Sequence, residues 1–185
     1  GRVNTCRHIQ FMGAPGQAPG AVAEFRVLPV ENCLPIPAGM TLEQAALVEP
    51  LSVGLYATRL GEVYPAVRAA IFGAGPIGCM AIAVAKHAGA RKIVITDVND
   101  GRLELAKKLG PTRTVNVLKE NLTDVWQHEL GMTEGFDVAL EMSGNPRALD
   151  QILDNMACGG RIALLGIIPG KAAIDWNKVI FRGLH

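Results

Sequence analysis

The sequence predicts an α/β chain: a parallel β-sheet covered by helices on both faces. Three observations predict it. From Val67 onward, strand-like apolar runs alternate with helical stretches, the pattern of successive βα units. The first strand ends in a glycine turn, Gly73-Ala74-Gly75-Pro76-Ile77-Gly78. The second strand, Lys92-Ile93-Val94-Ile95-Thr96-Asp97, ends in an acid 19 residues past the last of these glycines.

Residues 1–40 have a different texture, rich in glycine and proline. Their one alternating stretch, 21–28, reads as a strand. Thr41, with Gln44 three residues on, forms a capping-box pattern that opens a helix running to about Leu60. Pro50 should kink or break that helix, and Gly61 ends it. Strands are then expected near 68–73, 91–97, 113–117, 135–142 and 160–166, and helices near 76–88, 101–109, 120–130 and 146–157. Residues 1–60 are expected to form one domain with its connecting helix, and 61–185 the α/β domain. The tail from Ile174 to Arg182 resembles a crossover toward a sixth strand, which is incomplete, so the fifth strand is expected to be a bare edge.

Each part of the glycine turn has a physical task. Gly73 lets the chain leave the strand in a tight turn. Gly75, without a Cβ, lets the backbone approach a diphosphate. Gly78 lets the following helix pack closely on the strand. Pro76 sits near the first helical position, where its missing N–H costs nothing. Free N–H groups at the helix start, aided by the helix dipole, face the phosphates, and Ile77 belongs to this first turn. The spacing to Asp97 completes the layout of a dinucleotide-binding βαβ unit of the Rossmann type. A purely structural turn, with Asp97 as a helix cap, is the plainer alternative. Asp97 can accept hydrogen bonds from the adenosine ribose hydroxyls and would repel a 2′-phosphate, which favours NAD. Arg102 lies close by and keeps NADP open; it begins the next helix and packs near the adenine.

The bulk numbers exclude other classes. The 185 residues are 49% hydrophobic and carry a net charge of +1, which argues against nucleic acid or an anionic membrane as main partner. No apolar run is long enough to span a membrane, and no signal-peptide layout opens the chain. Cys6, Cys33, Cys79 and Cys158 are widely spaced and do not read as a disulfide framework, which makes a reducing cytoplasm the expected setting.

The chain resembles the zinc-dependent medium-chain dehydrogenases, in the branch of sorbitol (polyol) and threonine 3-dehydrogenases. The resemblance is carried by Gly1-Arg2-Val3-Asn4-Thr5-Cys6, Pro19-Gly20-Ala21-Val22-Ala23-Glu24-Phe25, Val48-Glu49-Pro50-Leu51-Ser52-Val53-Gly54 and the glycine turn. Ala85-Lys86-His87-Ala88-Gly89-Ala90-Arg91, Gly131-Met132-Thr133-Glu134-Gly135-Phe136-Asp137-Val138 and Ile174-Asp175-Trp176-Asn177-Lys178-Val179-Ile180-Phe181 also match. The stretch 48–54 is closer to the polyol branch, and the residues from about Ala85 onward to the threonine branch.

The resemblance implies a remnant of a β-rich catalytic domain followed by a Rossmann domain. It implies NAD-dependent oxidation of a secondary alcohol, L-threonine or a polyol, to a ketone, with zinc in the complete parent. Homo-oligomerisation is expected as well. Cys6 matches the last of four cysteines of a structural zinc site, and the remaining ligands would precede residue 1. Glu49 matches an acid beside the catalytic zinc. Ser143 and Gly144 match a segment near the nicotinamide ribose, and Leu165, Gly166 and Ile167 match a segment facing the nicotinamide. The 185 residues alone are expected to bind NAD weakly and to turn over nothing. A non-catalytic NAD-binding module is the competing class. A methyltransferase also uses a glycine turn and an acid after strand two, but has no use for Cys6 and Glu49. His8, His87, His128, Cys79, Cys158, Trp126 and Trp176 read as structural or surface residues.

Overall fold

The computed structural model describes residues 6–185 and divides the chain into two compact units, Gly1–Thr41 and Leu42–His185. In the first unit the described residues are mostly turns, bends and irregular chain, with a short 3-10 turn at Val30–Asn32 and one isolated bridge between Met12 and Ala18. Residues 21–28 form no strand, contrary to the alternation of their side chains. Val22, Phe25 and Val27 are 106%, 90% and 97% exposed, so no sheet or core receives them. An alternating pattern makes a strand only where a neighbour pairs its backbone and buries one face.

The second unit opens with two helices, α1 (Leu42–Ala46) and α2 (Val48–Leu60), where one was expected. The break falls at Leu47, ahead of Pro50. A proline ring clashes with the carbonyl four residues back, here Ala46, so Pro50 is accommodated only in the first turn of a new helix.

Five parallel strands follow: β1 (Arg68–Phe72), β2 (Lys92–Asp97), β3 (Arg113–Asn116), β4 (Phe136–Glu141) and β5 (Met156–Leu164). Their spatial order is β3-β2-β1-β4-β5. The chain builds outward from β1 to β3, then returns to the other side of β1 with β4, as expected for a doubly wound sheet. The connecting helices are α3 (Pro76–His87), α4 (Asp100–Lys107), α5 (Leu122–Asp124) and α6 (Pro146–Asn155).

Side chains alternate along each strand, so the sheet divides the core in two. Ala70, Phe72, Val94, Val115 and Ala139 pack on one face with Trp126, Leu149 and Ile152. Ile71, Ile93, Ile95, Val138 and Leu140 pack on the other with Ala57, Ala81, Ile82 and Leu103. With both faces covered, the central strands become the continuous apolar runs that the sequence shows.

Two further elements depart from expectation. The helix expected over 120–130 is a single α turn, α5, that widens into a π-helical turn over Val125–Glu129. Its Leu130 N–H reaches the Val125 carbonyl at 3.1 Å, five residues back. The wider turn lets adjacent Val125 and Trp126 both bury, and the Trp126 indole donates to Asn155 Oδ1 at 2.8 Å. The edge of β5 is also not bare. After α7 (Trp176–Phe181) the chain runs along it: Gly159 N–H donates to the Arg182 carbonyl at 2.7 Å. His185 N–H donates to Gly160 and its carbonyl accepts from Ile162, at 3.0 and 2.9 Å. That last pair is the hydrogen-bond pattern of one parallel rung opposite Arg161.

Candidate cofactor site

The point where strand order reverses lies between β1 and β4, and a crevice of about 520 Å³ opens there at the carboxyl ends of the strands. Its lining includes Gly73, Gly75, Thr96, Asp97, Val98 and Arg102 on one side, and Ser143, Asn145, Arg147 and Gln151 on the other. A more polar hollow of about 410 Å³ lies nearby against residues 117–123, but its Lys119 is tied to Asp100 and its Glu120 to Arg113.

The glycine turn is built as its sequence requires. Gly73 has φ +105°, and a Cβ there would lie 3.1 Å from the Ser143 backbone. A Cβ on Gly78 would fall 1.9 Å from the Gly73 carbonyl oxygen, so no other residue lets α3 dock this closely on the turn. A Cβ on Gly75 would meet nothing within 4 Å: it would project into the crevice. Pro76 opens α3, and the first bond of that helix runs from Cys79 N–H to the Gly75 carbonyl at 2.9 Å. The N–H groups of Ile77 and Gly78 therefore precede the helical ladder, the usual seat of an anion.

Asp97 is 9% exposed at the end of β2. Its Oδ2 accepts the Ala74 N–H at 2.7 Å, and its Oδ1 accepts those of Val98 and Asn99 at 2.8 and 2.9 Å. The acid thus fastens the glycine turn to the end of the second strand. A carboxylate offers about four acceptor directions, so one remains, on Oδ2. Arg102, in the first turn of α4, holds Nη1 3.9 Å from that oxygen and is 61% exposed. The helix cap that Asp97 could have supplied comes instead from Asn99, which accepts from Arg102 N–H at 3.1 Å.

The residues expected at the other end of the site come together at the ends of β4 and β5. A Cβ on Gly144 would lie 2.5 Å from the Ile167 carbonyl oxygen, and one on Gly166 would lie 2.2 Å from Gly144 N. Of this group Ser143 lines the crevice, whereas Ile167 is 92% exposed.

Sequence reasoning missed Glu141, which binds these two segments together. It is wholly buried, and its Oε1 accepts the N–H groups of Ser143 and Gly144 at 2.8 and 3.1 Å as well as the Ser143 hydroxyl. A lone acid closing an apolar strand was its only signal, the same signal that marked Asp97. Arg147 and Gln151 were missed as well; they reach the crevice from α6, a helix that the sequence placed but did not orient.

Cys6 and Glu49 are expected to serve zinc only together with ligands preceding residue 1. Cys6 is exposed in the first unit, and Glu49 is exposed in the first turn of α2, in the second. Among the described residues no three His, Cys, Asp or Glu side chains converge on a common point. All four cysteines are free, and among the described residues no helix is long and apolar enough to cross a membrane.

Comparison with known proteins agrees with this geometry. Residues 76–185 match the family of zinc-binding dehydrogenases. The whole chain is 52% identical to an L-threonine 3-dehydrogenase of Chromobacterium violaceum and covers 53% of it. It is 53% identical over 184 residues to an L-threonine 3-dehydrogenase of Escherichia coli and again covers 53% of that protein. The chain therefore spans about half the length of the curated relatives it matches. Among solved structures, L-idonate 5-dehydrogenase of Escherichia coli superposes with a TM-score of 0.86 at 28% identity, over 98% of this chain and 52% of that one. A Sinorhizobium meliloti 1021 protein assigned to the zinc-binding dehydrogenases, bound to NADP, superposes with a TM-score of 0.89 at 27% identity, over 99% and 54% of the two chains. On its matched residues and its doubly wound sheet, this chain belongs to the zinc-binding dehydrogenase family.

Proposed function

We propose that the crevice holds the NAD of an enzyme that oxidises a secondary alcohol to a ketone, with L-threonine as the best-supported substrate. The observation that carries this reading is the buried Asp97 carboxylate, set beside an unobstructed Gly75 and two amides at the start of α3. Ile77 and Gly78 would receive the diphosphate, and the open lone pair of Asp97 Oδ2 would receive an adenosine ribose hydroxyl. Bound there, NAD supplies the acceptor for a hydride leaving the alcohol carbon. The chain's own residues bind and orient: amides hold the phosphates, Asp97 sets the sugar, and the turns after β4 and β5 bound the reacting end. A 2′-phosphate would meet the Asp97 charge, which favours NAD; the NADP-bound structural relative and the nearby Arg102 make NADPH the necessary control.

The 52% and 53% identities to L-threonine 3-dehydrogenases support L-threonine over a polyol. The stretch 48–54 supports sorbitol as the second reading. The zinc ligands, the oligomeric contact and a cytoplasmic setting belong to the same proposal; the four free cysteines support the last. The 185 residues alone would bind NAD and release no product. The test titrates this chain with NAD by calorimetry, then adds either L-threonine or sorbitol and follows absorbance of the reduced cofactor. The expected result is cofactor binding without turnover. Zinc-dependent turnover by this chain would overturn that, and absence of binding would overturn the function.

A further inference from the structure

Glu141 is a wholly buried acid at the end of β4, paired in register with Phe72 of β1 and Leu164 of β5. It therefore stands on the strand beside the topological switch. Its side chain accepts from the Ser143 amide, the Ser143 hydroxyl and the Gly144 amide, and its main-chain carbonyl accepts the N–H groups of Leu165 and Gly166 at 2.9 Å each. A Cβ on Gly166 would lie 2.2 Å from Oε2, so the carboxylate abuts the backbone of the turn after β5. Every donor to it is neutral. None of the ion pairs among the described residues includes it. Hydrogen bonds from neutral groups hold a carboxylate without supplying a counter-charge.

In a doubly wound sheet the two halves each take one half of a dinucleotide. If the β1–β3 half with Asp97 takes the adenosine, the β4–β5 half takes the nicotinamide, and Glu141 lies behind the two turns that bound it. The oxidised nicotinamide ring carries a positive charge and the reduced ring none. The two forms otherwise make nearly the same contacts, so a fixed, uncompensated anion in a poorly polarisable interior discriminates between them. We infer that Glu141 selects the redox state of the cofactor, strengthening binding of NAD+ relative to NADH. This rests on the proposed function. It gives the buried acid a task that holding two turns together does not require.

The test measures Kd for NAD+ and for NADH on the unaltered chain and on Glu141→Gln, Glu141→Met and Glu141→Asp. Removal of the charge in Glu141→Gln is expected to raise the ratio Kd(NAD+)/Kd(NADH) by roughly fivefold or more. Glu141→Asp keeps the charge and should hold the ratio within about twofold of the parent, even if both affinities fall. Glu141→Met fills the space without an amide to misplace, and carries the test where Glu141→Gln does not fold. A purely structural role weakens both forms alike and leaves the ratio unmoved in every variant, which overturns the inference while leaving the cofactor reading intact. If the unaltered chain binds neither form, the cofactor reading falls and this inference with it.

Discussion

Replacing Asp97 by alanine separates the two tasks that the structure gives this acid. The substitution removes the acceptor for three backbone N–H groups. The Ala74 N–H is buried, so leaving it unpaired costs about 1–3 kcal/mol. The N–H groups of Val98 and Asn99 are only part-buried and can recover water, so each loses about 0.5–1.5 kcal/mol. Together these predict a loss of roughly 2–6 kcal/mol of folding stability, a large part of the ~5–15 kcal/mol typical of a domain. Urea unfolding followed by fluorescence of the buried Trp126 measures it. The cofactor effect is read separately, by titration with NADH and NADPH. Loss of a hydrogen bond to a charged group weakens NADH by about 1.5–3 kcal/mol, or roughly ten- to a hundredfold in Kd. Distortion of the glycine turn touches both cofactors, so the excess loss for NADH over NADPH isolates the ribose contact. Asp97→Asn, which keeps one oxygen acceptor, should fall between parent and alanine variant in stability. An alanine variant as stable as the parent to within about 0.5 kcal/mol would refute the structural role. Equal weakening of NADH and NADPH would refute the ribose role.

Three further outcomes follow from the packing. Gly78→Ala puts a Cβ 1.9 Å from the Gly73 carbonyl oxygen, so α3 must lift; a loss of about 1–3 kcal/mol in urea unfolding is expected, with weakened NADH binding. Asn155→Ala removes the acceptor shared by the Trp126 indole and the Thr123 hydroxyl, at 2.8 and 2.9 Å, and should lower stability by about 1–3 kcal/mol with a change in tryptophan emission. Asp137 should contribute to acid sensitivity. Burial pushes its carboxyl up, but the hydrogen bonds and charge of Arg68 outweigh that and hold it below the usual range. A group depressed on folding stabilises above its unfolded value, about 3.9, and that stability is lost as pH falls through the lower folded value. Asp137→Asn should therefore destabilise at pH 7, and its deficit against the parent should shrink as the pH is taken below about 4. A deficit unchanged across that range would contradict it.

The sheet was legible because its strands are buried on both faces, which leaves apolar runs such as Lys92–Asp97 with few other readings. The turn was legible because glycine at Gly73 and Gly78 answers two local steric demands that no other side chain meets. What stayed hidden depended on partners remote in the sequence. The 21–28 stretch carries a strand's alternation, but among the described residues no strand pairs with it. The widened turn at Val125–Glu129 follows from where Asn155, far along the chain, presents its acceptor. Asp97 and Glu141 show the limit most clearly. Both are acids at strand ends, yet only Asp97 has a glycine turn at a known spacing to mark it. Glu141 takes its meaning from the return of β5 beside β4, a tertiary event that one-dimensional spacing does not record.

The central claim is that this crevice grips a nicotinamide dinucleotide by its diphosphate and its adenosine ribose. Titrating the 185-residue chain in parallel with NADH, NADPH and S-adenosylmethionine tests it most directly. The account predicts saturable NADH binding, at least roughly tenfold weaker NADPH binding, and none of S-adenosylmethionine. Binding of S-adenosylmethionine, or of neither dinucleotide, would contradict it.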